Sequence, residues 1–289
     1  MRVWLAVAMA WALSAGAALA QGQQQEPFRG RFGVIEIAPT PAQATQQFQL
    51  ITEALDNLAP QRRRRQDVYI VSMGLWSDPV FSHEAVEAEA ILSAHFGAED
   101  RSIVLTAATG DVRTYPSPTP TNIALALDRI GAIIDPEEDL VVIFLTSHGS
   151  PGGVISIREH DRMWADLRAE HLASLLHQSG IRNRIVIVSS CFAGAFITHL
   201  GNDNTIVLTA SQHDRSSFGC EPQNEWTFFG DAMLNQSLRS GLGLIESFDS
   251  AVGRIATWEQ ERNLTPPSNP QRSVGPVALE MLQRAERRR

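Results

Sequence analysis

One histidine and one cysteine stand just beyond two strongly apolar stretches of this chain. Residues 140–146 lead into His148, and residues 185–190 lead into Cys191. If the two stretches are neighbouring strands of a parallel sheet, the imidazole and the thiol meet at the carboxyl ends of the strands, where such sheets bind ligands. A nearby histidine base lowers the pKa of a thiol and makes it a nucleophile. The pattern therefore predicts acyl transfer by a cysteine and a histidine.

The backbone around this pair has features that favour the same chemistry. Gly149 carries no side chain, so its N–H and that of Cys191 can point at one developing oxyanion. Residues 193–200 can form a helix just after the cysteine, and the positive end of that helix would stabilise a thiolate. We therefore predict an oxyanion hole made by these two main-chain N–H groups.

A regular alternation of apolar strands and helices must position these residues, and it spans residues 67–262. Wholly apolar strands separated by helices are typical of a parallel sheet covered on both faces, so the predicted fold class is α/β. The predicted strands are 68–73, 103–106, 140–146, 185–190 and 205–209, and the predicted helices are 82–96, 122–134, 167–178, 193–200, 226–238 and 244–258.

Two segments are predicted to flank this domain. Residues 21–66 form an N-terminal extension or a removable pro-segment, with a short strand at 32–37, a helix at 41–58 and an arginine run at 62–65. The arginine run is either an exposed segment or a processing site. Residues 263–289 form a C-terminal tail that begins as a surface loop and ends in a short helix.

The first twenty residues have the pattern of a secretory signal peptide. Arg2 precedes an apolar stretch at 3–13, and Ala18-Leu19-Ala20 matches a signal-peptidase site before Gln21. An uncleaved anchor helix is the alternative, but the small and polar residues after the apolar stretch make a weak membrane span. No later stretch is long and apolar enough to span a membrane, so the sequence predicts an exported protein, periplasmic or secreted.

Composition excludes several classes of protein. The chain has 289 residues, of which 44% are hydrophobic, and it can therefore bury a sizeable core rather than remain mainly disordered. A net charge of −8 argues against a general nucleic-acid binder. The spacing of the glycines matches no nucleotide-binding loop, and no pair of histidine and carboxylate residues shows metal-ligand spacing. Neither a cofactor nor a metal is predicted.

The chain has two cysteines, Cys191 and Cys220. In an exported protein, an even number of cysteines favours a disulfide. A bridge between these two would abolish the nucleophilicity of Cys191. A disulfide-closed structural domain is therefore an alternative to an enzyme.

Longer motifs around the histidine and the cysteine resemble a known family. The His-Gly pair at 148–149, Cys191 with the strand before it, the stretch 209–220 and the Gly-Asp pair at 230–231 resemble the legumain-type family of caspase-like cysteine peptidases, in an exported bacterial branch. The family includes asparaginyl endopeptidases and glycosylphosphatidylinositol transamidase subunits. The resemblance covers residues 67–234 and implies a caspase-like fold, with a parallel-rich sheet between two layers of helices.

The resemblance also implies roles for individual residues. His148 would be the general base and Cys191 the nucleophile, with the N–H groups of Gly149 and Cys191 as the oxyanion hole. Ser216 and Asp231 fall where the family lines its primary specificity pocket.

Two further positions are assigned by the resemblance. Asp78 lies near the family position that helps to orient the histidine. The family's asparaginyl enzymes carry an acidic residue two positions before the cysteine, where this chain has Ser189, and residues 80–82 stand in the region of their pocket arginine. Cleavage after asparagine is therefore not predicted for this chain.

The predicted function is a cysteine endopeptidase that forms an acyl-enzyme with a peptide or protein substrate. Water as the acceptor gives hydrolysis, and an amine acceptor would give transpeptidation. A caspase-like binding module without turnover is one alternative. An α/β-hydrolase with a cysteine nucleophile is another, although that fold places its histidine late in the chain and no histidine follows His213.

Overall fold

A six-stranded sheet lies at the centre of the computed structural model, which describes residues 34–107, 113–160 and 162–287. Its strands are β2 (Val68–Gly74), β3 (Ser102–Thr106), β4 (Leu140–Thr146), β8 (Arg184–Ser189), β9 (Thr205–Thr209) and β10 (Gln271–Val274). The strand order is β10-β9-β8-β4-β2-β3, with all pairs parallel except that of β10 with β9. The predicted signal peptide at 1–20 lies outside the described residues.

The five parallel strands are largely apolar because both faces of this sheet are covered. In β2, Tyr69, Val71 and Met73 pack into one hydrophobic core, while Val68 and Ile70 pack into the other. Successive side chains of a strand point to opposite faces, so a strand buried on both faces has no polar alternation. This continuous apolar pattern is what made the strands predictable.

Helices cover the two faces. They are α1 (Pro41–Asp56), α2 (Pro79–Phe96), α3 (Pro120–Ile133), α4 (Ala169–Gln178), α5 (Ala195–Leu200), α6 (Phe228–Gly230), α7 (Leu244–Glu261) and α8 (Pro276–Glu286). Helix α6 continues as a π-helix over Asp231–Ser237 and a 3₁₀ turn over Leu238–Ser240. Helices α1, α3, α4 and α5 pack on one face and α2, α7 and α8 on the other. The predicted α/β class with helices on both faces is confirmed.

A second, smaller sheet was not predicted. Its strands are β1 (Ile35–Glu36), β5 (Gly149–Ser150), β6 (Val154–Glu159) and β7 (Met163–Arg168), in the order β1-β7-β6-β5. Buried and half-buried residues alternate along β6 and β7, which is typical of strands that face the core on one side only. The predicted helix from residue 167 begins instead at Ala169, because the preceding residues pair in β7.

Both flanking segments pack against the central sheet. In the extension, β1 pairs with β7, and Ile51 of α1 is buried in the core. In the segment predicted as a tail, β10 pairs with β9, and Met281 and Leu282 of α8 are buried. Residues 34–58 and 271–286 therefore contribute to the same structure as the central segment.

The start of α2 differs from the prediction and affects the site. The helix begins at Pro79 rather than Ser82, with Asp78 at the N-cap position. Proline fits the first turn of a helix because that turn needs no backbone donor there. The helix ends as predicted at Gly97, whose φ of 63° is left-handed. Among the described residues, no helix has the length and apolar character needed to cross a membrane.

Candidate active site

Three neighbouring strand ends carry the residues of the site. Gly74 of β2 pairs with Thr146 of β4, which pairs with Ser189 of β8. Trp76, His148 and Cys191 each stand two residues beyond one of these paired positions. The parallel register therefore brings an indole, an imidazole and a thiol to one edge of the sheet, as predicted for the last two.

The imidazole of His148 is held by a carboxylate and two aromatic rings. Its Nε2 lies 3.7 Å from Oδ2 of Asp78, and both side chains are about one-third exposed, at 36% and 32%. The rings of Trp76 and Phe81 meet the imidazole edge to face, with centroids 4.7 and 4.9 Å away. The carboxylate and the two rings restrict the orientation of the imidazole.

The thiol of Cys191 contacts the loop that follows β9. The backbone N–H of Ser217 donates to Sγ at 3.3 Å, and Sγ lies 3.6 Å from the carbonyl oxygen of Ser217. An N–H that donates to sulfur stabilises a thiolate. Within the described residues, Sγ makes no hydrogen bond to the imidazole; catalytic hydrogen bonds often tighten only when substrate binds.

A strained turn presents the thiol between β8 and α5. Phe192 has a φ of 58°, a left-handed conformation that is costly for a bulky residue. Its N–H donates to the carbonyl of Arg215 at 2.7 Å, and the N–H of Ala193 donates to Oγ of Ser211 at 3.2 Å. These bonds hold the turn in a conformation that points the side chain of Cys191 out of the sheet edge.

Gly149 is required by a close approach of two main chains. A Cβ built at this position would lie 2.1 Å from the carbonyl oxygen of Cys191. Only glycine therefore allows the segment after His148 to contact the segment that carries the thiol. This contact agrees with the predicted pairing of the two residues in an oxyanion hole and leaves that role a prediction.

A buried carboxyl group lies behind the two strand ends, and the sequence analysis missed it. Glu84 of α2 is fully buried; Thr146 donates to its Oε2, and Thr227 donates to its Oε1 at 2.6 Å. Burial raises the pKa of Glu84 to about 7, although the two hydroxyl hydrogen bonds oppose this shift. Glu84 lies one turn after Val80 on the apolar face of α2, and this position is the signal that could have identified it.

The residues assigned to a substrate pocket lie in different places. Ser189 is 2% exposed, and its hydroxyl shares a hydrogen bond of 2.9 Å with the hydroxyl of Thr227, so it belongs to the buried group around Glu84. Ser216 is exposed, and its neighbour Ser217 makes the contact with the thiol. The sequence analysis did not identify Ser217.

Asp231 lies in a separate cleft. Asn235 and Gln236 on the same helical segment donate to its carboxylate at 2.7 and 2.9 Å. The cleft has a volume of about 560 Å³ and is also lined by Trp226 and Trp258. Among the described residues that line this cleft, neither His148 nor Cys191 is present.

Cys220 is close enough to influence the site but is not bridged to it. Both Cys191 and Cys220 are free thiols in this structure. Burial raises the pKa of Cys220 to about 11, and the nearby Cys191 adds to the shift. This thiol is therefore a poor nucleophile at neutral pH. Across the described ranges, no three His, Cys, Asp or Glu side chains cluster as a metal site.

A protein family and a solved structure are similar to this chain. Residues 124–262, which include His148 and Cys191, match the Peptidase C13 family. The chain is also similar to the crystal structure of caspase-1 from Spodoptera frugiperda, at 9% sequence identity and a TM-score of 0.49, over 75% of this chain and 92% of that chain. No curated protein matches the chain.

The family match agrees with the resemblance found in the sequence and supports a cysteine peptidase in general. It covers both strand ends that carry the imidazole and the thiol. Residues 124–262 of this chain are thus similar to the Peptidase C13 family, the legumain family.

Proposed function

We propose that this protein is a cysteine endopeptidase that cleaves peptide bonds through an acyl-enzyme intermediate. The observation that carries the proposal is the placement of Cys191 and His148 beyond paired positions of adjacent strands, with the carboxylate of Asp78 3.7 Å from the imidazole. The match to the Peptidase C13 family gives independent support.

The proposed reaction begins with proton transfer from the thiol of Cys191 to His148. The sulfur attacks the substrate carbonyl carbon, and the carbonyl oxygen gains the negative charge. The N–H groups of Gly149 and Cys191 stabilise that charge. The protonated imidazole then gives its proton to the leaving amine, and the carbon–nitrogen bond breaks to leave a thioester.

Asp78 and His148 act again in the second half of the reaction. His148 takes a proton from water, the resulting hydroxide attacks the thioester, and the thiolate leaves and recovers its proton. Asp78 orients the imidazole in both halves. An amine that attacks the thioester in place of water would complete a transpeptidation. We propose hydrolysis as the main reaction and an exported location, periplasmic or secreted, for the enzyme.

Ser189 supports a specificity that differs from that of the asparaginyl enzymes. It is the uncharged residue at the position two before the cysteine, and its hydroxyl is committed to Thr227. This chain therefore has no carboxylate at the position where the asparaginyl enzymes carry an acidic residue.

Covalent labelling tests the proposed function. The mature protein is treated with a library of peptidyl electrophiles without reductant, and adducts are located by mass spectrometry. We expect one adduct on Cys191, absent in Cys191→Ala, weaker in His148→Ala and unchanged in the matched control Cys220→Ala. Absence of any adduct, together with a bridge between Cys191 and Cys220, would establish the disulfide-closed domain instead.

A further inference from the structure

A row of aromatic and cationic side chains extends from the imidazole of His148 along the small sheet. The ring of Trp76 lies 4.7 Å from the imidazole. The guanidinium of Arg158 lies over both indoles, 5.1 Å from the centroid of the Trp76 ring and 5.9 Å from the centroid of the Trp164 ring. All four side chains are partly exposed.

Backbone pairing fixes this row. Trp76 forms a parallel bridge with Arg158, whose N–H donates to the carbonyl of Leu75 at 2.8 Å. Arg158 of β6 stands directly opposite Trp164 of β7 in the antiparallel register. Side chains directly opposite each other in such a pair share one face of the sheet. The row is therefore part of the sheet and is not carried by a loose surface loop.

Arg158 is a cation without a carboxylate partner. Within the described residues it makes no ion pair, and its side-chain hydrogen bond is a long one of 3.5 Å to the carbonyl of His160. By contrast, Arg113 and Arg162 both pair with the buried Glu159. A guanidinium stacked between two indoles keeps its N–H edge available for a bidentate contact with a carboxylate.

Among the described residues of β6 and β7, the face that carries Arg158 and Trp164 has one other cation, Arg168, and one acid, Asp166. Arg168 and Asp166 of β7 stand opposite Val154 and Ser156. Of these three described side chains two are cationic and one is anionic, in a chain whose net charge is −8.

The proposed reaction determines which side of the substrate meets this row. His148 protonates the leaving amine, so residues after the scissile bond emerge next to the imidazole, where Trp76 begins the row. The thiol side is bordered instead by Ser217. An extended peptide spans about 3.3 to 3.6 Å per residue, so a side chain two or three residues after the scissile bond reaches Arg158.

We propose that Trp76, Arg158 and Trp164 form a subsite for the leaving side of the substrate, which selects a peptide with a carboxylate side chain two or three residues after the scissile bond. The inference rests on the proposed endopeptidase function and adds a substrate preference to it. Arg158 supplies the charge, and the two indoles hold the guanidinium and offer apolar surface to the peptide.

Internally quenched peptides test this subsite. They share the acyl-side sequence selected by the electrophile library and carry Glu, Gln or Lys at the second and third positions after the scissile bond. We expect the wild type to have a kcat/KM about tenfold higher for Glu than for Gln, the size of one charge-assisted hydrogen bond. Arg158→Gln should abolish this preference, and Arg158→Glu should reverse it in favour of Lys.

Two controls distinguish a failure of the subsite proposal from a failure of the proposed endopeptidase function. Arg254→Glu makes the same charge change on α7, where the arginine is exposed and donates to Gln236, and it should leave the preference unchanged. A fluorogenic amide with no residue after the scissile bond should be cleaved equally by the wild type and Arg254→Glu. No cleavage of that amide by the wild type would contradict the proposed function. Its cleavage, with equal kcat/KM for the Glu, Gln and Lys peptides, would contradict the subsite alone.

Discussion

The carboxyl ends of β4 and β8 carry two polar regions that differ in exposure. The open front consists of Asp78, His148 and Cys191, which are all partly exposed. The carboxylate of Asp78 lies 3.7 Å from the imidazole of His148. Its charges are accessible to substrate and screened by solvent. This region has the residues that the proposed reaction needs.

The buried back consists of Glu84, Thr146, Ser189 and Thr227, which are all less than 4% exposed. Three hydroxyl groups surround one carboxyl group there, and no opposite charge compensates for its burial. Asp78 and Glu84 are six residues apart at the start of the same helix. The comparison teaches that carboxyl groups of similar chemistry take different roles according to solvent access. Changes at the front should affect activity, and changes at the back should affect stability.

Loss of the proposed nucleophile should have the largest effect on activity and almost none on stability. We expect Cys191→Ala to lower kcat by about 10⁴-fold or more, because no acyl-enzyme can form. Its free energy of unfolding in urea should stay within about 0.5 kcal/mol of the wild type. If Cys191→Ala retained the rate of peptide cleavage of the wild type, the thiol would not be the nucleophile.

Gly149→Ala should lower both activity and stability, because Gly149 lies against the main chain of Cys191. The new Cβ would overlap the carbonyl oxygen of Cys191, so we expect kcat to fall by about 10²-fold and the free energy of unfolding by about 1 to 3 kcal/mol. Gly253→Ala in α7 is the matched control, because a Cβ there meets nothing within 4 Å. That variant should gain about 0.5 to 1 kcal/mol of stability. Equal effects of the two changes would argue against the close approach.

Glu84→Gln should change how stability depends on pH. Burial raises the pKa of Glu84 from 4.5 to about 7, so the folded protein binds this proton more tightly than the unfolded chain. The contribution of the protonated Glu84 to the free energy of unfolding is fully present below about pH 4.5 and is lost as the pH rises through about 7. The wild type should therefore lose up to about 3 kcal/mol relative to Glu84→Gln between pH 5 and pH 9.

Urea unfolding at the two pH values measures this difference. Glu89→Gln is the matched control on the same helix, since Glu89 bonds to Ser93 and Ser102 away from the buried back. Parallel stability curves for the wild type and Glu84→Gln would show that the carboxyl group does not titrate in this range.

Asp78→Asn should have the smallest effect. The pair with His148 is long and about one-third exposed, so we expect kcat to fall about tenfold with little change in stability. Asp214→Asn, at an exposed aspartate that pairs with Arg215, is the control. A loss as large as that of Cys191→Ala would place Asp78 among the groups that react, rather than among those that orient the imidazole.

Local patterns in the sequence determined the central strands and the positions of His148 and Cys191 relative to them. Residues 140–146 and 185–190 were predicted as buried strands, and the structure has Leu140–Thr146 and Arg184–Ser189. An apolar run is a local signal, and a strand that ends two residues before His148 or Cys191 places that residue at the sheet edge without further information. The α/β class follows from the same alternation of strands and helices.

Tertiary structure alone decided the surroundings of these residues. Glu84 and Thr227 are 143 residues apart in the chain, yet they share a hydrogen bond behind the site. The small sheet that carries Arg158 and Trp164 has a weaker local signal, because its short strands are buried on one face only. Such contacts depend on the packing of elements that are distant in sequence, and the free energy of that packing is not encoded in any single stretch of residues.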